Sequence, residues 1–154
     1  MIFRSHRKVK VGAIIVGLLL SLILFIPNEQ PASTESLVKE YLKSKKSPLA
    51  DYTGHLLQQE DWKLLIAISA IESQFCNRKI DFNCWGIGGD SKYRHYPDYK
   101  EAITDAQAVI DYWQTKGRWL SVEDMNCHYV VPCNQIWVDV VNKTLKEIEA
   151  TLKT

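Results

Sequence analysis

Residues 11–26 carry no charged side chain, and only Gly12, Gly17 and Ser21 dilute their apolar character. A 16-residue run of this kind is driven out of water. A spanning helix needs about 20 residues and the core of a signal peptide about 7–15, so length alone fits either. Arg4, Arg7, Lys8 and Lys10 precede the run with no acid among residues 1–10. No small-x-small cleavage site adjoins it, since Ile26 is followed directly by Pro27 and Asn28. The pattern reads as an uncleaved signal anchor, a transmembrane helix over residues 11–26 with the basic flank 1–10 on the cytoplasmic side. The rest of the chain is then expected outside the cytoplasmic membrane, in periplasm or cell wall, and secreted if the segment is cut.

All four cysteines, Cys76, Cys84, Cys127 and Cys133, follow this segment. An even number in an exported chain points to disulfides. Of the three possible connectivities, Cys76–Cys84 with Cys127–Cys133 is favoured, because each closes a short loop between neighbouring elements. The spacings Cys-x7-Cys and Cys-x5-Cys are wider than the tight pairs of zinc knuckles. No metal or other cofactor is therefore expected, and His128 beside Cys127 is the one feature that argues otherwise. Local signatures of a papain-like cysteine nucleophile are absent around every cysteine.

The 154 residues suffice for one domain with a core, and 46% hydrophobic with 24% charged residues is ordinary globular composition. Of the 19 Lys and Arg, four lie in residues 1–10, which leaves 15 against 18 Asp and Glu, a net −3 for the remainder. Such a remainder has no electrostatic footprint for nucleic acid. Residues 27–46 read as a polar tether followed by a short helix over Ser36–Lys46. Ser47-Pro48 suits a helix start, with Leu49, Tyr52, Leu56 and Leu57 as its apolar side. Asp61 is placed to cap the next helix. Pro97-Asp98, with Glu101 three residues on, opens a long helix that Gly117 can close. Ser121 with Asp124 starts a short one. Asn134 opens the last, with Trp137, Val138, Val141, Leu145, Ile148 and Leu152 in register. Trp113 and Trp137 follow helical spacing and are assigned to the core; Trp62 and Trp119 have no assigned place. The expected fold is mainly α, with at most a tiny hairpin between Phe75 and Tyr99.

The segment from Asp61 to Phe75 reads as one helix, on which Leu64, Ile68, Ile71 and Phe75 form an apolar stripe. Glu72 falls at the edge of that stripe instead of opposite it. A carboxylate held against apolar groups resists ionising, and a proton retained near neutral pH is what a general acid needs. A glutamate on the flank of an amphipathic helix can equally bend out to water.

Three segments bear on that choice: Ile71-Glu-Ser-Gln-Phe75, Asn83-Cys-Trp-Gly-Ile-Gly-Gly89 and Tyr93-Arg-His-Tyr-Pro-Asp-Tyr-Lys-Glu-Ala-Ile103. In order and spacing they resemble the lysozyme-like peptidoglycan-cleaving superfamily, in two of its branches, the endo-β-N-acetylglucosaminidases and the soluble lytic transglycosylases. The resemblance runs from about Trp62 to Trp137. It implies a lysozyme-like domain over residues 47–154 and cleavage of β-1,4 bonds in peptidoglycan glycan strands. The glutamate of the Glu-Ser pair, here Glu72, is the catalytic acid in both branches. Asn83 to Gly86 map onto the turn that walls the cleft, and Tyr129, ahead of a Tyr-x4-Asn-x2-Trp layout, onto an active-site tyrosine. The transglycosylases usually carry Gly-Leu-Met-Gln where this chain reads Trp-Gly-Ile-Gly-Gly. The glucosaminidases carry a longer hairpin where only Asp90, Ser91 and Lys92 separate Gly89 from Tyr93. That hairpin often supplies a second carboxylate, for which Asp90 is the nearest candidate.

Ser73, Asn83, Trp85, Gly86, Tyr93, Tyr96 and Tyr129 are the candidate substrate-binding residues, because sugar rings stack on aromatic faces and hydrogen-bond to tyrosines. Glycosidic cleavage requires protonating the leaving oxygen. In a transglycosylase the same glutamate then takes a proton from the sugar's 6-hydroxyl; a hydrolase needs a second carboxylate. A catalytically silent module that binds cell-wall glycan or a protein partner would keep the same fold and cleft.

Overall fold

A computed structural model describes residues 32–89 and 92–153. The expected anchor at residues 11–26, its basic flank and Asp90 lie outside the described residues. Among those described there are six α-helices, one 3-10 turn and a two-stranded hairpin, so the fold is mainly helical. No helix of the described residues is long and apolar enough to cross a membrane.

The first helix, α1, spans Thr34–Ser44, capped by the Ser33 hydroxyl, which accepts from the Ser36 N–H at 3.1 Å. The short helix expected over Ser36–Lys46 is present, shifted by two residues. Val38 and Leu42 are buried in the common core, and the compact unit runs from Ala32 to Thr154. Ser47 and Pro48 start a turn as expected, but the turn is 3-10 over Pro48–Tyr52 and gives way to one α-turn, α2, at Thr53–Leu56. The Thr53 hydroxyl bonds back to the Ala50 carbonyl at 2.8 Å, holding the junction together.

Helix α3, Trp62–Ser73, is the centre of the unit. Leu65, Ile66, Ala67, Ile68 and Ser69 are all buried, while Leu64 and Ile71 are only partly so. The one-sided stripe is therefore corrected to a helix enclosed on most sides, as a nearly uniform apolar sequence allows. Asp61 stands at its N-terminus without capping it; its carboxylate takes the Gln107 side-chain amide at 3.0 Å instead.

Strands β1 (Gly88–Gly89) and β2 (Lys92–Tyr93) pair antiparallel, Gly88 opposite Tyr93. A Cβ at Gly88 would lie 2.3 Å from the Lys92 carbonyl oxygen, so only glycine permits this pairing. Helix α4, Tyr99–Thr115, is capped by the Asp98 carboxylate on the Glu101 N–H at 2.9 Å, and Gly117 comes after it at φ +66°. After the short α5 (Val122–Met125), α6 runs over Gln135–Thr151 with Asn134 as its cap. Trp137, Val138, Val141 and Ile148 of α6 enter the core, and α6 packs along α3. Both disulfides have the expected partners, Cys76–Cys84 and Cys127–Cys133.

Candidate functional site

Glu72 lies in the last turn of α3, and the residues beyond Ser73 turn the chain back beneath it. Gln74, Phe75 and Cys76 take φ of 52°, 57° and 66°, three successive left-handed residues without a glycine. Isolated, each would be unfavourable. Here the Phe75 N–H bonds the Ser69 carbonyl at 2.9 Å, and the Cys76 N–H bonds the Ser73 hydroxyl at 3.0 Å. The Ser73 hydroxyl in turn donates to the Cys84 carbonyl at 2.7 Å. With the Cys76–Cys84 disulfide, these bonds fasten the turn 83–86 against the helix end.

Asn83 shapes that turn from inside. Its side-chain amide donates to the carbonyls of Ile87 (2.7 Å) and Arg94 (3.0 Å), and its oxygen accepts from the N–H groups of Trp85 and Ile87. Gly86 sits next in the turn at φ +64°, and a Cβ there would sit 3.1 Å from Glu72 Oε2. The missing side chain is what lets the turn come up against the acid. On the other side, Trp137 Nε1 donates to Glu72 Oε1 at 2.7 Å. Burial raises the Glu72 pKa above the ordinary carboxylate value, and the Trp137 bond opposes that with the smaller effect. The acid is half-buried, one oxygen on an indole and the other against backbone.

Tyr129 completes the wall. Its hydroxyl donates to the Trp85 carbonyl, and burial, with Glu72 nearby, keeps the phenol protonated well above its usual range. From Glu72's partner outward, aromatic rings succeed one another: Trp137–Tyr129 at 5.4 Å, Tyr129–Trp119 at 5.3 Å, Trp119–Trp113 at 5.5 Å and Trp113–Tyr112 at 5.2 Å between centroids. Three of these rings, with Gly86, Val109 and His128, line a cavity of about 210 Å³. Trp119 is held at φ +58°, buried, with its Nε1 lacking a hydrogen-bond partner among the described residues.

The sequence-derived site residues divide into two groups. Gly86 and Tyr129 line the cavity, and Glu72 stands behind Gly86 without lining it. Ser73, Asn83 and Trp85 do not face it: all three are buried, and the Trp85 indole donates to the Leu65 carbonyl at 2.8 Å. They form part of the framework that holds Gly86 and Glu72 in place. Tyr96 is half-buried with its hydroxyl on Asp105 Oδ2 at 2.6 Å, and Tyr93 is half-exposed on β2. Asp81 pairs with His95, and Asp98 caps α4. Trp113, assigned to the core, is partly buried and packs against the core while also walling the cavity. Trp137 is in the core as expected, but its indole N–H reaches the acid; a buried indole needs an acceptor, and that was the available signal. Trp119 and His128 carried no signal in their spacing. Among the described residues, no group of three His, Cys, Asp or Glu is placed to hold a metal ion.

Set against protein-family models, curated proteins and solved structures, the chain matches none.

Proposed function

We propose that this chain cleaves β-1,4 glycosidic bonds in peptidoglycan glycan strands, with Glu72 as general acid and base in a lysozyme-like domain. The observation that carries the reading is the half-buried Glu72 carboxyl, its pKa raised by burial, between Trp137 Nε1 and Gly86 beside an aromatic-walled cavity. Such a carboxyl holds a proton for the leaving oxygen as the ring turns oxocarbenium-like. Once the proton is given up, the Trp137 N–H stabilises the carboxylate that remains. In a lytic transglycosylase that carboxylate takes the proton of the sugar's own 6-hydroxyl, which closes a 1,6-anhydro ring. In a hydrolase a second carboxylate, with Asp90 as the candidate, serves the attacking water. The rings of Trp113, Trp119 and Tyr129 supply flat apolar surface for sugar faces. Residues 11–26 anchor the domain outside the cytoplasmic membrane in this proposal.

The test is to incubate the full chain and its Glu72→Gln variant with purified sacculi. The wild type is expected to release muropeptides and the variant at least about 100-fold fewer. No release by the wild type, or equal release by both, ends the proposal. Mass spectrometry of the released ends separates anhydro from reducing products.

A further inference from the structure

Trp113 is the partition between two hollows. Beyond it a second cavity of about 430 Å³ shares Ile87, Gly88, Val109 and Trp113 with the one near Glu72. Its polar wall is Arg94 and Asp105, and its outer wall Tyr112. Asp105 Oδ2 already accepts from Arg94 Nη1 and the Tyr96 hydroxyl, each at 2.6 Å. The cavity's one carboxylate is thus engaged from within the protein. Two more cations stand over its rings: Lys116 Nζ lies 5.5 Å from the Tyr112 centroid, and Arg118 Cζ 5.4 Å from that of Trp113. Of the charged groups that line this hollow or stand over its rings, three are cations (Arg94, Lys116 and Arg118) and one, Asp105, is an anion, in a chain whose residues 11–154 carry net −3.

A neutral sugar has no use for that surplus. A ligand with carboxylates and a flat amide backbone does: guanidinium and ammonium groups meet the carboxylates, and exposed aromatic rings take the amide planes. Because the two cavities share Ile87, Gly88, Val109 and Trp113 as walls, such a group can be attached to a strand seated in the first. We infer that the second cavity binds a carboxylate-bearing peptide substituent of the glycan strand, so that peptide-bearing strands are preferred over bare ones. This rests on the proposed glycan-cleaving function, for which it names a determinant of specificity.

The probes are glycan strands of matched length, with their peptides kept or stripped by an amidase. Binding is measured to the full chain carrying Glu72→Gln, so that neither strand is cut. The peptide-bearing strand is expected to bind several-fold more tightly, with the advantage shrinking as salt rises. Adding Lys116→Gln and Arg118→Gln, both at exposed positions, is expected to lower the ratio of the two affinities about 3- to 10-fold. Equal affinity for both strands, or an unchanged ratio in the charge-removed variant, overturns the peptide site and leaves the glycan reading standing. Binding of neither strand, with no muropeptide release by the wild type, removes both.

Discussion

Trp137 Nε1 and Glu72 Oε1 are 2.7 Å apart, joined by a hydrogen bond that spans 65 positions of sequence. It ties the first turn of α6 to the last turn of α3 and acts on the acid against burial. Burial favours the protonated carboxyl and the indole favours the ionised one; burial prevails.

Trp137→Phe removes the donor and keeps an aromatic ring. Glu72 then holds its proton to higher pH. As the proposed acid acts in its protonated form, activity falls when pH climbs through its pKa, and this alkaline limb is expected to move upward in the variant. The pH profile of muropeptide release measures it; a downward move contradicts the role given to the bond. The smaller ring leaves a gap, so unfolding in denaturant is expected to show a loss of about 1–2 kcal/mol.

Glu72→Gln is expected to gain stability while losing activity. The folded pKa of Glu72 is raised above the unfolded one, so between the two values the folded chain binds more protons. Stability is therefore greater below the unfolded pKa and is lost as pH rises through that window. Glutamine removes the slope. At neutral pH the variant is expected to melt roughly 2–5 °C above wild type, with the difference closing at pH below the ordinary carboxylate range. A variant that melts lower at neutral pH counts against an acid held in an unfavourable setting.

Gly86→Ala and Gly117→Ala separate backbone strain from damage to the site. Both glycines have left-handed φ, +64° and +66°. Each substitution is expected to destabilise by about 1–2 kcal/mol. At Gly117 the new methyl meets nothing within 4 Å, whereas at Gly86 it arrives 3.1 Å from Glu72 Oε2. Activity at a temperature where both variants are folded should fall at least about tenfold for Gly86→Ala and stay near wild type for Gly117→Ala. Equal activities would falsify the close approach of turn and acid.

Ser73→Ala tests the framework. It leaves the Cys84 carbonyl and the Cys76 N–H without their buried partner. Unfolding is expected to show a loss of about 2–4 kcal/mol. If Ser73 instead contacted substrate, KM would rise with little change in melting temperature.

The parts of the fold with local causes were readable in the sequence. Asp98, Ser121 and Asn134 cap the helices they were expected to cap, because a short polar side chain satisfying the first N–H groups is a local event. The inward face of α6 was also legible, since Trp137, Val138, Val141 and Ile148 keep one helical face. The left-handed run at Gln74–Cys76 was not, because it lacks glycine and is held by Ser69, Ser73 and a disulfide. Asp61 looked like a cap until Gln107, on another helix, claimed its carboxylate. At the site, Glu72 and Gly86 stood out as an acid and a turn glycine. Ser73 and Asn83 were read as substrate-binding candidates, since nothing in a linear order says which polar side chains turn inward to hold the backbone. Trp113, Trp119 and Trp137 gained their places through ring contacts that run across the irregular segment between α4 and α6, where no helical period predicts which rings meet.

Cys76 and Cys84 join the end of the acid's helix to the loop facing it by one sulfur–sulfur link. Prising that floor and wall apart strains a covalent bond and not merely side-chain packing. The distance from Glu72 to its opposing turn is therefore set by the covalent chain as well as by packing.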